Sequence, residues 1–508
     1  MKANLLLVGT LVLGVSVFIS GRAPAAVYDN VTTGFYDYVV NDVTDTWSGS
    51  DITVTNDQSV ASGADSSGTL ALSNTTMTVG NQWRLAADGA NATANVTLTD
   101  SSVTAPTAGV GGLYAGSGSA GVATLTMTRS TNVINRYLSA AANGSFTLNM
   151  TDSRIAATYY LAVMNLGNAT VTMTNSSIRW ARDQGGDQRT YQSSFIGINT
   201  GPVTLNVRAG SSFIVENNHN AGDRLSFGYN ENATANVEDS EFRWRKLVMG
   251  DQAGATGRIE AVRSAITAIA SAKWEYIGDS GTGVILLNSS TGSFQTVSFG
   301  RGATGQGTLI ANASSVSADG AYTFVGYAGA GQVTLTNRSS LTLGSGNSLH
   351  IGYEGGASGL LTLGNSTGTV NNAYVAFNSG STGTVHLLPG SKLDVTNDFD
   401  MSTNGTPRLQ LTLAGTSAGQ FGRITVGGGV QLAGALEVLL DGYTPSVGDK
   451  WSILTGASAV DGTFDDVTSG YQVNYLSDGF EVEVIPEPGT LVLLVTAGLA
   501  LWGYRRRR

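Results

Sequence analysis

Cysteine is absent from the 508 residues, which excludes disulfides, a thiolate nucleophile, iron–sulfur clusters and Cys-based zinc sites. Charge is scarce and acidic: Lys, Arg, Asp and Glu make up 13% of the chain, with a formal net charge of −10. Such a chain is a poor partner for nucleic acid, whose binding depends on Lys and Arg displacing counterions. Proline is rare, at eight residues against 67 glycines, and 41% of the chain is hydrophobic. This argues against a disordered Pro-Gly-rich polymer and for a large buried core. The three histidines, His219, His350 and His386, lie far apart and read as exposed wall residues, with His350 and His386 placed to stack on neighbouring coils.

What is present is a repeat. GTLALSNTTMTV (68–79), VTLTDSSVTA (96–105), ATVTMTNSSIRW (169–180), GTLIANASSVSA (307–318) and GTVHLLPGSKLDV (383–395) each join an alternating strand to a second short strand through a polar turn. The first apolar residue after that turn falls at Met77, Val103, Val133, Ile155, Ile178, Phe213, Phe242, Ile266, Phe294, Val316, Leu341, Val370 and Leu393, at intervals of 22 to 35 residues. Glycine-punctuated pieces recur between them, such as YIGDSGTG (276–283) and HIGYEGGASG (350–359). A short strand buries its apolar face only by stacking, so the pattern predicts an all-β parallel solenoid, a right-handed β-helix of about 13 coils and about 60 Å, over residues 26–400. In Val96-Thr97-Leu98-Thr99 the Val and Leu are then inward and the threonines outward. A period this long disfavours a sandwich of hairpin-connected strands.

Several local patterns carry no chemistry. Gly116, Gly118 and Gly121 match Gly-x-Gly-x-x-Gly, but a strand follows them, so they are turn glycines, not a phosphate cradle. Asp398, Asp400, Asn404 and Gly405 lack the spacing of a calcium loop. The Asn-x-Ser/Thr triplets at Asn74, Asn95, Asn175, Asn288 and Asn312 follow from turn composition. No cofactor or metal is expected, and no catalytic residue is assigned. The adjacent pair Asp465-Asp466 lies beyond the repeat, away from any solenoid wall. One region stands apart: Arg179 to Lys246 carries 16 charged residues in 68 and the longest interval, 35 residues. Insertions in solenoids emerge as loops on one face. Trp180, Arg182, Asp183, Asp187, Arg189 and Tyr191 therefore form the candidate glycan-binding set, against the alternative of a solvated loop.

The termini read as addresses. Lys2 precedes an apolar run, Leu5 to Ile19, and Ala23-Pro24-Ala25 supplies small residues before Ala26, as at a signal-peptidase site, so residues 1–25 read as a signal peptide. At the other end stand Pro486-Glu487-Pro488, the uncharged run Gly489 to Tyr504, and Arg505, Arg506, Arg507 and Arg508. Sixteen helical residues span roughly 24 Å, short for a ~30 Å hydrocarbon core. This tail, 486–508, resembles the PEP-CTERM sorting signal of bacterial surface proteins. The resemblance implies transient inner-membrane insertion, then recognition and removal by an exosortase-like transpeptidase. With both ends removed, six positive charges and one negative charge leave, and the net charge falls from −10 to −15.

From about Met401 the strands lengthen and the Ser-Ser corner disappears, so residues 401–485 are expected to form a terminal capping module that covers the open solenoid end. That segment resembles the closing module of autotransporter-type β-helical passengers. The whole chain is thus expected to be an exported structural or adhesive β-solenoid of the cell surface or extracellular polysaccharide matrix, with exopolysaccharide as its partner. The alternative is a β-helical polysaccharide lyase or glycoside hydrolase with its site in 179–246.

Overall fold

The computed structural model describes residues 26–486, apart from 88–89, 106–111, 117–118, 135–136, 141–142, 158–162, 182–193, 199–200, 217–223 and 270–273. Among the described residues every regular element is a β-strand. The chain forms two compact units that meet in sequence at Thr308 and Leu309.

In the first unit each coil contributes one strand to each of three parallel sheets. Sheet A holds the long strands, such as Thr93–Thr99, Val122–Thr128 and Ser145–Thr151, stacked in register so that Val96, Leu125 and Leu148 align, as do Leu98, Met127 and Met150. Sheet B holds shorter strands, including Ser102–Ala105, Thr131–Ile134 and Arg154–Ala157. Sheet C holds Gly112–Ala115, Tyr137–Ala140 and Val163–Leu166. The alternation expected from sequence holds: Val96 and Leu98 are buried, while Thr97 is exposed. The same three-sheet coil builds the second unit from Ala330–Thr336, Ser340–Leu343 and Ser348–Ile351 onward.

Three details depart from the sequence pattern. Each coil has a third strand, hidden within the glycine-punctuated piece. Sheet C strands such as Leu225–Phe227 and Leu247–Met249 are only three residues long and buried throughout, so they show no alternation to read. Second, the sheet B register position held by Val103, Ile266 and Leu393 is occupied by Asn132, with Val133 turned outward, and by Gly292 and Gly368, with Phe294 and Val370 buried two residues further along their strands. The two glycines make room for their neighbours: a Cβ at Gly292 would stand 2.9 Å from Leu287 Cδ1, and one at Gly368 would stand 3.0 Å from Leu393 Cδ1. Third, parallel stacking continues beyond Met401, with Thr406–Leu413 on Thr382–Leu387 and Ala435–Leu440 on Thr406–Leu413. The change of architecture comes later, where Gly479–Val484 pairs antiparallel with both Lys450–Thr455 and Tyr471–Leu476. Trp451, fully buried there, donates its indole N–H to the Gly415 carbonyl at 2.8 Å.

The corners explain the composition. Between sheets C and A the chain turns at residues with positive φ, among them Gly250 (+56°) and Gly278 (+76°). A Cβ at Gly278 would lie 2.0 Å from the Gln306 carbonyl, so the next coil packs where a side chain would stand. Between sheets A and B a left-handed residue, such as Asp100, Arg129 or Asp152, precedes a serine that turns inward. The Ser101 N–H donates to Ser130 Oγ, the Ser130 N–H to Ser153 Oγ (3.1 Å each), and the Ser153 N–H to Ser176 Oγ (3.0 Å). Each hydroxyl in turn donates to the carbonyl two residues back, as Ser153 does to Thr151 at 2.7 Å. The serine ladder thereby satisfies a backbone donor that the corner would otherwise bury unpaired.

Candidate functional site

The left-handed residues that precede the serines form an exposed row along the outside of the A–B corner in the first unit. Asp100 and Arg129 meet in a two-pronged ion pair, with Nε–Oδ1 and Nη2–Oδ2 both at 2.7 Å. Asn175 donates to Asp152 at 2.6 Å, and Arg263 makes a second two-pronged pair with Asp239, also at 2.7 Å, plus a bond to Glu238 at 3.0 Å. These guanidinium bonds hold the Asp100 and Asp239 carboxyls below their ordinary range. Two open grooves follow this corner. One, of about 340 Å³, is lined by Arg129, Asp152, Arg154 and Asn175; the other, of about 670 Å³, by Asp239, Glu241, Arg263 and the ladder serines. Their walls are hydroxyls, amides and paired ions, a surface that offers hydrogen bonds to sugar hydroxyls without an aromatic floor.

A second polar cluster lies on the outer face of sheet C. Arg224 donates to Ser226 Oγ at 3.0 Å and to Asp251 at 2.8 Å, and Ser226 donates to Asp251 at 2.7 Å. One coil on, Arg301 pairs with Asp279 at 2.8 Å and lies 4.1 Å above the Tyr276 ring. Burial pushes the Asp251 carboxyl up. Adjacent-coil carboxylates are the arrangement a glycosidase needs, but here the Asp251 side chain is only 3% exposed and that of Asp279 12%, and each is bonded to an arginine. A sugar ring cannot reach between them, so the cluster is a structural clasp.

Several sequence-derived candidates are placed elsewhere. Trp180 is fully buried in sheet B, in register with Ala157 and Val215, and so is no stacking platform for a glycan. Alternation from inward Ile178 already put it inside; its charged neighbours obscured this. Arg182, Asp183, Asp187, Arg189 and Tyr191 lie outside the described residues, as does His219. The longest interval nonetheless has a location: the chain between Ala181 and Ser194 links a sheet B strand to a sheet C strand. His350 and His386 do not stack on each other, since they belong to sheets C and A. His350 is buried between Phe324 (5.0 Å) and Tyr374 (4.9 Å), and lack of solvent lowers its pKa to about 4. His386 shares a hydrogen bond with Thr412 Oγ1 at 2.9 Å. Asp398 accepts the Gly429 N–H at 2.8 Å, and no group of three or more acidic or His side chains converges as a metal site among the described residues. Asp465 accepts the Gly434 N–H at 2.8 Å, which makes it part of a turn.

Glu275 went unnoticed in sequence. It points into the bore with 0% exposure, accepts the Trp244 indole N–H, and accepts the Gln295 backbone N–H at 2.8 Å. In Trp274-Glu275-Tyr276-Ile277 the alternation counted back from Ile277 marks it as inward.

Of the terminal signals, Ala26 opens the first strand and Pro486 is the last described residue; Ala23, Ala25, Glu487, Pro488 and Arg505 to Arg508 lie outside the described residues. Among the described residues no helix is long and apolar enough to cross a membrane. No family model matches the sequence, and no curated protein matches it as a relative.

Proposed function

We propose that this chain is an exported structural or adhesive β-solenoid, sorted to the cell surface or extracellular polysaccharide matrix by its tail. The observation that carries the reading is the state of the outer-wall carboxylates. Asp100, Asp239, Asp251 and Asp279 are each tied to an arginine; the outward positions beside Asp100 are chiefly threonine and asparagine, and near Asp239 they include the charged residues Arg243, Arg258 and Glu260. Such a wall presents many weak hydrogen-bonding positions in a regular array, and weak contacts repeated along a polymer add through multivalency. Charge supports the sorting half: an uncharged run followed by four arginines favours retention of that end on the cytoplasmic side until the tail is cut.

The test incubates the purified protein with acidic and neutral polysaccharides and scores retention on each, together with new reducing or unsaturated ends. Retention without new ends is expected; new ends would replace this reading with the lyase or hydrolase. Processing is tested separately by intact-mass measurement of surface material, which should begin at Ala26 and lack Gly489 to Arg508.

A further inference from the structure

Three consecutive coils of the second unit repeat one four-residue motif where sheet C runs into the next corner: Phe324-Val325-Gly326-Tyr327, His350-Ile351-Gly352-Tyr353 and Tyr374-Val375-Ala376-Phe377. The second residue is buried in the bore, so the first turns to the outer face. The third takes positive φ, +79°, +74° and +54° in turn, and the fourth is brought back against the first. Within each motif the two rings meet almost at right angles, with centroids 4.9, 5.0 and 5.4 Å apart. From coil to coil the fourth-position rings Tyr327, Tyr353 and Phe377 follow one another at 5.2 and 5.5 Å, a continuous row along the stacking direction. Phe324 and His350 are buried, whereas Tyr353, Tyr374 and Phe377 are half-buried and Tyr322 is 43% exposed. In the first unit the same two positions hold Tyr276 with Asp279 and Ser298 with Arg301, the members of a polar clasp.

This row belongs to no core, and an apolar patch left on an outer wall marks an interaction site. Its surroundings narrow the partner. From Phe324 to Phe377 the sole Lys or Arg is Arg338, which lies at the A–B corner between Ala330–Thr336 and Ser340–Leu343 and not on sheet C. His350 is uncharged at neutral pH, since burial lowers its pKa to about 4. Burial first, then the Asp398 and Asp400 carboxylates, raises the pKa of Tyr374, so the nearby charge is negative. A polyanion is therefore disfavoured. The Tyr353 and Tyr374 hydroxyls make no hydrogen bond among the described residues. A pyranose ring presents a face of C–H bonds edged by hydroxyls, which complements an aromatic row with free phenol groups. The rise from ring to ring is also close to the length of one sugar in an extended chain.

We propose that this row anchors a polysaccharide of uncharged pyranose units, laid along the stacking direction at about one sugar per coil. C–H faces rest on Tyr353 and Phe377, and sugar hydroxyls bond to Tyr353 and Tyr374. The inference rests on the matrix-binding reading above and adds the class of sugar and the residues that hold it.

Native affinity electrophoresis of the processed protein in a soluble β-glucan, a galactomannan and a polygalacturonate tests it. At least one neutral polymer should retard the wild type. Tyr353→Leu and Phe377→Leu, which keep apolar bulk but lose the ring, should weaken that retention about fivefold or more, the scale of one base stacked on an aromatic side chain, and leave any retention by polygalacturonate unmoved. Retention by polygalacturonate alone, or a loss seen in Arg129→Ala but in neither ring variant, overturns the inference and leaves the matrix reading standing. No retention by any polymer overturns both. Hydroxyl-radical footprinting of the wild type needs no variant to fold: the retained polymer should lower labelling of Tyr353, Tyr374 and Phe377 several-fold but not that of Tyr475, which is 40% exposed. Equal labelling with and without polymer overturns the site. So does sedimentation showing a dimer that Phe377→Leu dissolves, which would assign the row to a second copy of the chain.

Discussion

Raising the pH from 5 to 9 should loosen the coil that carries Glu275. Its carboxyl is wholly enclosed by the bore, and burial, outweighing the Trp244 and Gln295 hydrogen bonds, raises its pKa from 4.5 to about 8. The folded-state value thus exceeds the unfolded one. Stability from this group is complete below about pH 4.5, declines as the unfolded chain alone releases the proton, and reaches its floor above about pH 8. At ~1.4 kcal/mol per unit, the shift corresponds to ~5 kcal/mol in full and ~3 kcal/mol at pH 7. Hydrogen exchange of the Leu247–Met249, Trp274–Ile277 and Thr296–Phe299 amides reads this locally. After correction for intrinsic rates, protection should fall by up to about tenfold per pH unit between 5 and 8. Glu275→Leu should flatten that dependence, although it leaves the Trp244 and Gln295 N–H groups without an acceptor and so lowers protection at every pH. Wild-type protection that does not change with pH, or a Glu275→Leu profile as steep as wild type, would refute the assignment.

Leu98→Asp should destabilise the first unit by more than ~4 kcal/mol, since it buries an unpaired carboxylate, whereas Thr97→Asp, on the outer face, should change stability by less than ~0.5 kcal/mol; denaturant titration separates them. Ser153→Ala removes the acceptor for the Ser130 N–H and should cost ~1–3 kcal/mol, with the loss of amide protection centred on Ser130. Trp180→Ala should cost ~3–5 kcal/mol by opening a core cavity, while polysaccharide retention per folded molecule stays unchanged. For the second unit, His350 has a folded pKa below the usual value, so stability is complete above about pH 6.5 and declines as pH falls toward about 4. His350→Phe, which keeps a ring between Phe324 and Tyr374, should remove that acid sensitivity in a thermal-melting series at pH 4 to 7.

Sheet A was legible because its strands are long enough to alternate: Val96-Thr97-Leu98-Thr99 declares inside and outside without ambiguity. The A–B corner was legible as a polar turn, but the inward aim of its serines was not, because a hydroxyl paired across coils looks in sequence like any turn serine. Sheet C was hidden for a different reason. In Leu225–Phe227 even the outward Ser226 is covered, by Asp251 and Arg224, so burial loses its period of two. The same limit affected the site. Trp180 was judged by the charged residues beside it instead of by its parity with Ile178, and Glu275 was passed over because an inward carboxylate contradicts the usual reading of an alternating strand. The arginine partners of Asp251 and Asp279 come from other coils, at sequence separations of 27 for Arg224 and 22 for Arg301, which only the coil register brings together.

The serine ladder has a direction, and direction implies an order in time. The Ser101 amide waits for Ser130, Ser130 for Ser153 and Ser153 for Ser176, so each coil is completed by the one synthesised after it. A nascent chain extended residue by residue from its amino end therefore carries one open corner at its growing tip, however many coils already stand behind it. The penalty of incompleteness stays constant while the reward of stacking accumulates. Growth of this kind resembles a zipper with a single moving slider, and a chain interrupted partway is left with a local defect at its tip instead of a global failure to fold.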